Sequence, residues 1–152
     1  MVPDPDHSAF ADLIPLDHGL CVVATLRADG SIQASTVNAG VLPHPVTGAS
    51  VVGLVARGDA HRLRNLRADP RATIVVRAGW QWATVEGAAE IIGPDDPHPD
   101  VDAESLRVLL RDVFTAAGGT HDDWETYDRT MVEDRRAAVL IAAQRIYTNP
   151  RR

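Results

Sequence analysis

The tripeptide Ala28-Asp29-Gly30 constrains this chain more than any other feature. It lies between residues 20–27, rich in Val and Thr, and residues 31–41. In the second run Ile32, Ala34 and Thr36 alternate with Gln33, Ser35 and Val37. Asp-Gly supplies the positive φ that a tight hairpin turn needs, so the two runs are expected to pair antiparallel. Hairpin links fix that sense of pairing, because a parallel pair needs a long crossover.

The same grammar continues. Pro43, Pro45 and Gly48 mark a loop before a third strand over 50–57, apolar enough to be covered on both faces. Gly58-Asp59 breaks it, and residues 60–67 read as a short helix with Asp59 as N-cap. Asp69-Pro70 ends that helix, a fourth strand runs over 71–77, and Ala78-Gly79 turns into a fifth over 80–92. Residues 93–100 hold three prolines and three aspartates and read as a solvated loop. Leu106, Leu109, Leu110, Val113 and Phe114 sit at helical spacing within 102–117. A further short helix is expected from Asp122 or Asp123 to about Val132, and a last strand over 137–147. A short amphipathic helix over 6–14 opens the chain. Six strands joined mostly by hairpins suggest a small barrel, which removes exposed strand edges. A doubly wound sheet would need regular βαβ crossovers and a Gly-rich first turn, and neither is present.

With 152 residues, one domain spanning 1–152 is expected. The formal net charge of −6 argues against general nucleic-acid binding, which requires cations to displace counterions. All 15 Lys+Arg residues are Arg, so a lysine Schiff base or a P-loop lysine cannot exist here. Cys21 is the single cysteine. It excludes an intrachain disulfide and a Cys-rich metal site, and it reads as a buried structural thiol. No basic stretch precedes a long apolar run, and no segment approaches the roughly 20 apolar residues of a membrane span. A cytoplasmic protein is expected.

Residues 59–67, Asp-Ala-His-Arg-Leu-Arg-Asn-Leu-Arg, place cations and an amide at a helix N-terminus. Free N–H groups and the helix dipole already favour an anion there, so cations at that end ask for a reason. Arg62 and Asn65 are three apart and share a face, whereas Arg64 need not. The alternative is a solvated charged helix. Trp80 and Trp82, two apart on an expected strand, share a face and can flank a planar ring or seal a barrel end. Gln33 and Ser35 can donate to a heterocycle's carbonyls or face water. The six histidines show no metal-ligand spacing, and the acidic run at Asp95, Asp96, Asp100 and Asp102 lacks the pattern of a calcium loop. No GxSxG elbow is present, and Cys21 has no evident base. A cofactor is therefore the expected source of any reactive centre.

These stretches resemble, in order and spacing, the pyridoxamine-5′-phosphate-oxidase-like, FMN-binding split-barrel superfamily. The hairpin from Val22 through Asp29-Gly30 to Ser35 is similar to its opening. Residues 64–72, Arg-Asn-Leu-Arg-Ala-Asp-Pro-Arg-Ala, resemble its most recognisable run. Residues 82–89 carry its V-E-G-x-A pattern. Residues 123–127 and 131–136 resemble the C-terminal part of the actinobacterial branch that uses the deazaflavin coenzyme F420.

The resemblance covers residues 20–147. It implies a mainly β protein with inserted helices: a six-stranded antiparallel split β-barrel, homodimeric, with cofactor sites at the subunit interface. It assigns the cofactor phosphate to Ala60, His61, Arg62 and Asn65. The ring falls to Gln33, Ser35, Val55 and Ala56, with Trp80 and Trp82 nearby, from either subunit. It implies F420, with FMN as the alternative, and hydride transfer to a small organic acceptor such as an enone or quinone. The alternatives are an F420 carrier with little turnover and an FMN-dependent oxidase or reductase. No catalytic side chain and no metal are implied. Relatives often hold a second basic residue where this chain has Ala60, which leaves Arg62 as the main cation. The third strand lacks the basic run expected of a pyridoxamine phosphate oxidase.

Overall fold

The structure is a computed structural model that describes residues 5–150. Strand β1 (Leu20–Leu26) turns at Asp29-Gly30 into β2 (Ile32–Pro43), and β3 (Ser50–Ala56) follows. Helix α2 (His61–Ala68) then leads into β4 (Arg71–Ala78) and β5 (Gln81–Ile92). Helices α3 (Ala103–Ala116) and α4 (Trp124–Glu133) precede β6 (Ala137–Thr148). Ahead of β1, the expected opening helix is a single turn, α1 (Ser8–Ala11), followed by a 3-10 turn over Ile14–Asp17.

All neighbouring strands pair antiparallel in a closed barrel ordered β1-β2-β3-β6-β5-β4. The mainly β, six-stranded barrel read from the sequence is therefore present. The register around the Asp-Gly turn pairs Leu26 with Ile32, Thr25 with Gln33 and Val23 with Ser35. Gly30 has φ +86°, as the turn requires.

Two cores follow from the strand patterns. Val23, Leu54, Ile74, Val85 and Ile141 fill the barrel interior, joined by Phe10 and by Leu63 and Leu66 of α2. Outside the barrel, Leu109, Leu110 and Val113 of α3 pack on Val51 and Leu140. β3 is thus covered on both faces, which explains its unbroken apolar run. Asp102 caps α3 through the Ser105 N–H at 2.8 Å, and Asp123 caps α4 through the Thr126 N–H at 3.1 Å.

Two local expectations are corrected. Asp59 does not cap α2: Ala60 occupies the cap position without a side-chain bond, and Asp59 lies 3.5 Å from Arg57 instead. Trp80 is not on a strand. It sits in the turn between β4 and β5 and is 93% exposed.

Candidate functional site

β2 runs beside β1 over Ile32–Asn38 and beside β3 only from Ala39 to Pro43. β3 parts from β2 beyond Leu54. Val55 and Ala56 keep register partners on β6 alone, Ala138 and Ala137. Helix α2 packs beside β1 and β5 and reaches β2 through its side chains, and its residues divide by face. Leu63 and Leu66 point into the barrel core, while Arg62 and Asn65 face β2.

Arg62 Nη2 donates to Ser35 Oγ at 2.9 Å. Asn65 Nδ2 donates to Gln33 Oε1 at 2.8 Å and to Thr25 Oγ1 at 3.1 Å. With Oε1 engaged, the Gln33 amide nitrogen is left as a donor. Ser35, accepting from Arg62, keeps its O–H. β2 thus turns two donors toward the parting.

Arg62 supplies the electrostatic signature. Its Nε is buried without a partner, and it has no carboxylate partner among the described residues. Burial pulls its pKa below the ordinary arginine value, because desolvation penalises the cation and no counter-charge offsets it. A half-buried guanidinium with one buried, unpartnered nitrogen favours an anion that completes it. The N–H groups of His61 and Arg62, in the first turn of α2, also lack intrahelical acceptors. A phosphate-like group therefore fits this cradle.

Other expected residues fall elsewhere. Arg64 donates to His61 Nδ1 at 2.8 Å on the exposed side of α2, so it supports His61 and does not face β2. Ala56 is fully buried in the main core, main chain included, and Val55 is half-buried against the second core, so of the two only Val55 has any surface left. Trp80 and Trp82 lie at the far end of β4 from α2. That strand spans about 25 Å at roughly 3.3 Å per residue. Trp82 packs edge-on against Tyr147, with ring centroids 6.1 Å apart. Within one chain the two indoles neither pair nor approach Arg62.

Two residues of the site were not expected. Thr25 is 3% exposed, and its hydroxyl anchors Asn65. Arg27 lines a cavity of about 280 Å³ with Gln33, His61 and Asn65. The hairpin register carries the missing signal for Thr25, which stands directly opposite Gln33.

Away from the site, His44 and His98 converge on Glu90, at 2.7 and 3.8 Å. No group of His, Cys, Asp and Glu suited to a metal is found among the described residues. Nor is any helix among them long and apolar enough to cross a membrane.

The fold is a closed six-stranded antiparallel barrel with a helix on its side that turns Arg62 and Asn65 toward β2. Residues 7–149 match the family model for pyridoxamine 5′-phosphate oxidase, so the chain belongs to that family. Solved structures share the fold. A conserved hypothetical protein of Mycobacterium tuberculosis is similar at 21% identity and TM-score 0.67, over 95% of this chain and 84% of that one. An F420 reductase matches at 14% identity and TM-score 0.61, over 96% and 98% of the two chains. An FMN-binding protein of Nostoc punctiforme, related to pyridoxamine 5′-phosphate oxidase, matches at 13% identity and TM-score 0.66, over 96% and 84%.

Proposed function

We propose that this chain is a cytoplasmic, homodimeric F420-dependent oxidoreductase that transfers a hydride from the reduced deazaflavin to a small organic acceptor such as an enone or quinone. The observation that carries the reading is Arg62, half-buried beside β2 with a buried, unpartnered Nε and no counter-charge among the described residues. Family membership supports the oxidoreductase class, and the shared fold of an F420 reductase supports the cofactor.

On this reading Arg62, with the first-turn N–H groups of α2 and the Ala60–His61 backbone, holds the phosphate. Gln33 and Ser35 donate to the carbonyl edge of the ring, held in position by Asn65 and Arg62. Val55 lines the other side, with Ala56 buried behind it. When bound, the deazaflavin supplies the carbon that carries the hydride. The residues of the chain bind, orient and exclude water, solvent supplies the proton, and no side chain acts as an acid.

The outer face of the barrel supports dimerisation. Val22 is 46% exposed and Ile32 66%, and Leu20 lies open beside them. β2 thus turns polar Gln33 and Ser35 inward and apolar Ile32 outward. Such an exposed apolar face marks an interface. A second copy would cover it, and its indoles could then reach the site that the chain's own cannot.

Titrating the purified protein with F420 and with FMN tests the reading. Saturable F420 binding, with turnover of an enone or quinone, is expected. Tight FMN binding without F420 binding refutes it, and F420 binding without turnover of any acceptor favours the carrier.

A further inference from the structure

We infer that the turn from Gly93 to Asp96 is a positioning device for α2, gripping both ends of that helix through two adjacent aspartates that hold different arginines.

At the exit of α2, Arg67 donates to Asp96 through both Nε and Nη2, at 2.9 and 2.6 Å. The Asp96 side chain is only 20% exposed, and bidentate geometry makes this stronger than an ordinary surface pair. The neighbouring Asp95 takes a different partner and accepts from Nε and Nη2 of Arg135, just beyond α4.

That end of α4 in turn holds the entrance to α2. The Gly58 N–H donates to the Asp134 carbonyl at 3.1 Å. A Cβ at Gly58 would lie 2.8 Å from the Arg135 carbonyl oxygen and 2.9 Å from its Cβ, so only glycine permits this approach. Arg135 itself has φ +51°, a conformation non-glycine residues rarely adopt. The contacts therefore close a ring: α2 entrance, end of α4, Asp95, Asp96, α2 exit.

The turn at the centre of the ring is itself anchored. Gly93 and Asp96 exchange two backbone hydrogen bonds, each 3.1 Å. A Cβ at Gly93 would lie 2.6 Å from that of Ala137, which pairs with Ala56 at the end of β3. The turn thus rests on the sheet at the level where the chain leaves for α2. Arg62 and Asn65 fasten one side of the helix to β2, and Arg67 fastens another to the turn. Asp96 is a positioning residue that acts through Arg67, with no contact to the site itself.

The effect on cofactor binding rests on the phosphate reading of Arg62, whereas the effect on α2 does not. Both are measured in the full chain. In cofactor-free protein, amide exchange over residues 58–68 should accelerate in Asp96→Asn. It should stay at the wild-type rate in Asp128→Asn, which breaks a comparable pair between α3 and α4. Unchanged exchange over 58–68 in Asp96→Asn overturns the proposal, whatever the protein binds.

In titrations with F420 and FMN, Asp96→Asn should weaken binding roughly 2- to 30-fold. The swapped pair Arg67→Asp with Asp96→Arg should recover it, and Asp128→Asn should leave it unchanged. Equal weakening by Asp128→Asn would reduce the effect to general stability and overturn the positioning role. A wild-type protein that binds neither cofactor refutes the phosphate reading alone and leaves the exchange result to decide the clamp.

Discussion

Arg62 donates to Ser35 across the parting of β2 and β3 at 2.9 Å, while its own Nε stays buried and unpartnered. The pair joins the helix to the strand and leaves one donor in reserve. In the free protein that reserve is a modest cost, because a half-desolvated cation without a counter-charge opposes folding. With an anion bound it becomes affinity.

Arg62→Met should therefore separate stability from binding. It keeps the aliphatic stem and removes the charge. The cofactor-free protein is expected to gain roughly 0.5–2 kcal/mol, as when a functional strain is relieved. Cofactor binding should weaken by about 1–3 kcal/mol, the size of a lost charge-assisted hydrogen bond. Thermal unfolding and titration measure the two effects, and loss of both together would mark Arg62 as purely structural.

Thr25→Val tests the second link. It removes the acceptor that holds Asn65 and leaves the buried volume nearly unchanged. A stability loss of about 0.5–1.5 kcal/mol is expected. The Asn65 side-chain amide signals should broaden or shift in NMR spectra as the Thr25–Asn65–Gln33 chain loosens. Wild-type amide signals would show that Gln33 alone orients Asn65.

The shared face of Arg62 and Asn65 is legible because it is local: the two are three residues apart on one helix, and both bond to β2. The cap is not, because Asp59 pairs with Arg57 and leaves the cap position to Ala60. Strand alternation puts Gln33 and Ser35 on one face but leaves open whether that face meets water; their bonds to Asn65 and Arg62 turn it toward α2. Thr25 was missed because its role appears only when the Asp29–Gly30 turn is used to set the register. Arg67–Asp96 and His44–Glu90 join residues 29 and 46 apart, and such pairs have no local signature. The distance of the chain's own indoles from Arg62 has a topological reason that local sequence does not carry: the pairing of β4 with β1 sends the turn that holds Trp80 away from α2.

The acid limb of stability should depend on Asp128. The hydrogen bond from Arg111 holds its carboxyl below the ordinary value of 3.8, with a smaller contribution from Arg107. A carboxyl whose folded pKa is depressed contributes stability that is fully present above the unfolded value and is lost as pH falls through the folded one. Urea midpoints measured from pH 5 down to pH 2 should fall more steeply in the wild type than in Asp128→Asn. Parallel curves would show that the pair is silent.

Cys21 should be inert in the native protein. Burial pushes its thiol up to about 12, against a weaker opposing hydrogen bond with Ala39. At pH 8 only roughly one thiol in ten thousand would then be ionised, and the thiolate is the reactive form. A thiol reagent should label the protein only after denaturant is added. Labelling of native protein within minutes would reveal an opening of β1 that the barrel does not show.

The dimer can be tested where the barrel's pattern inverts. Val22 and Ile32 face outward on β1 and β2, and both are open in the single chain. Val22→Asp places a charge there without touching the interior, since the inward residues of β1 are Cys21 and Val23. If a second copy covers this face, the substitution should convert dimer to monomer in sedimentation, because an unpaired buried charge is not tolerated at an interface. Cofactor binding should weaken in the same variant if the partner completes the site, although Arg62 and Asn65 remain in place. Trp80→Ala, at the far end of the barrel, separates the two contributions. It should leave the dimer intact and weaken binding only if the partner's indole reaches the cofactor. A dimer that persists in Val22→Asp would move the interface off this face.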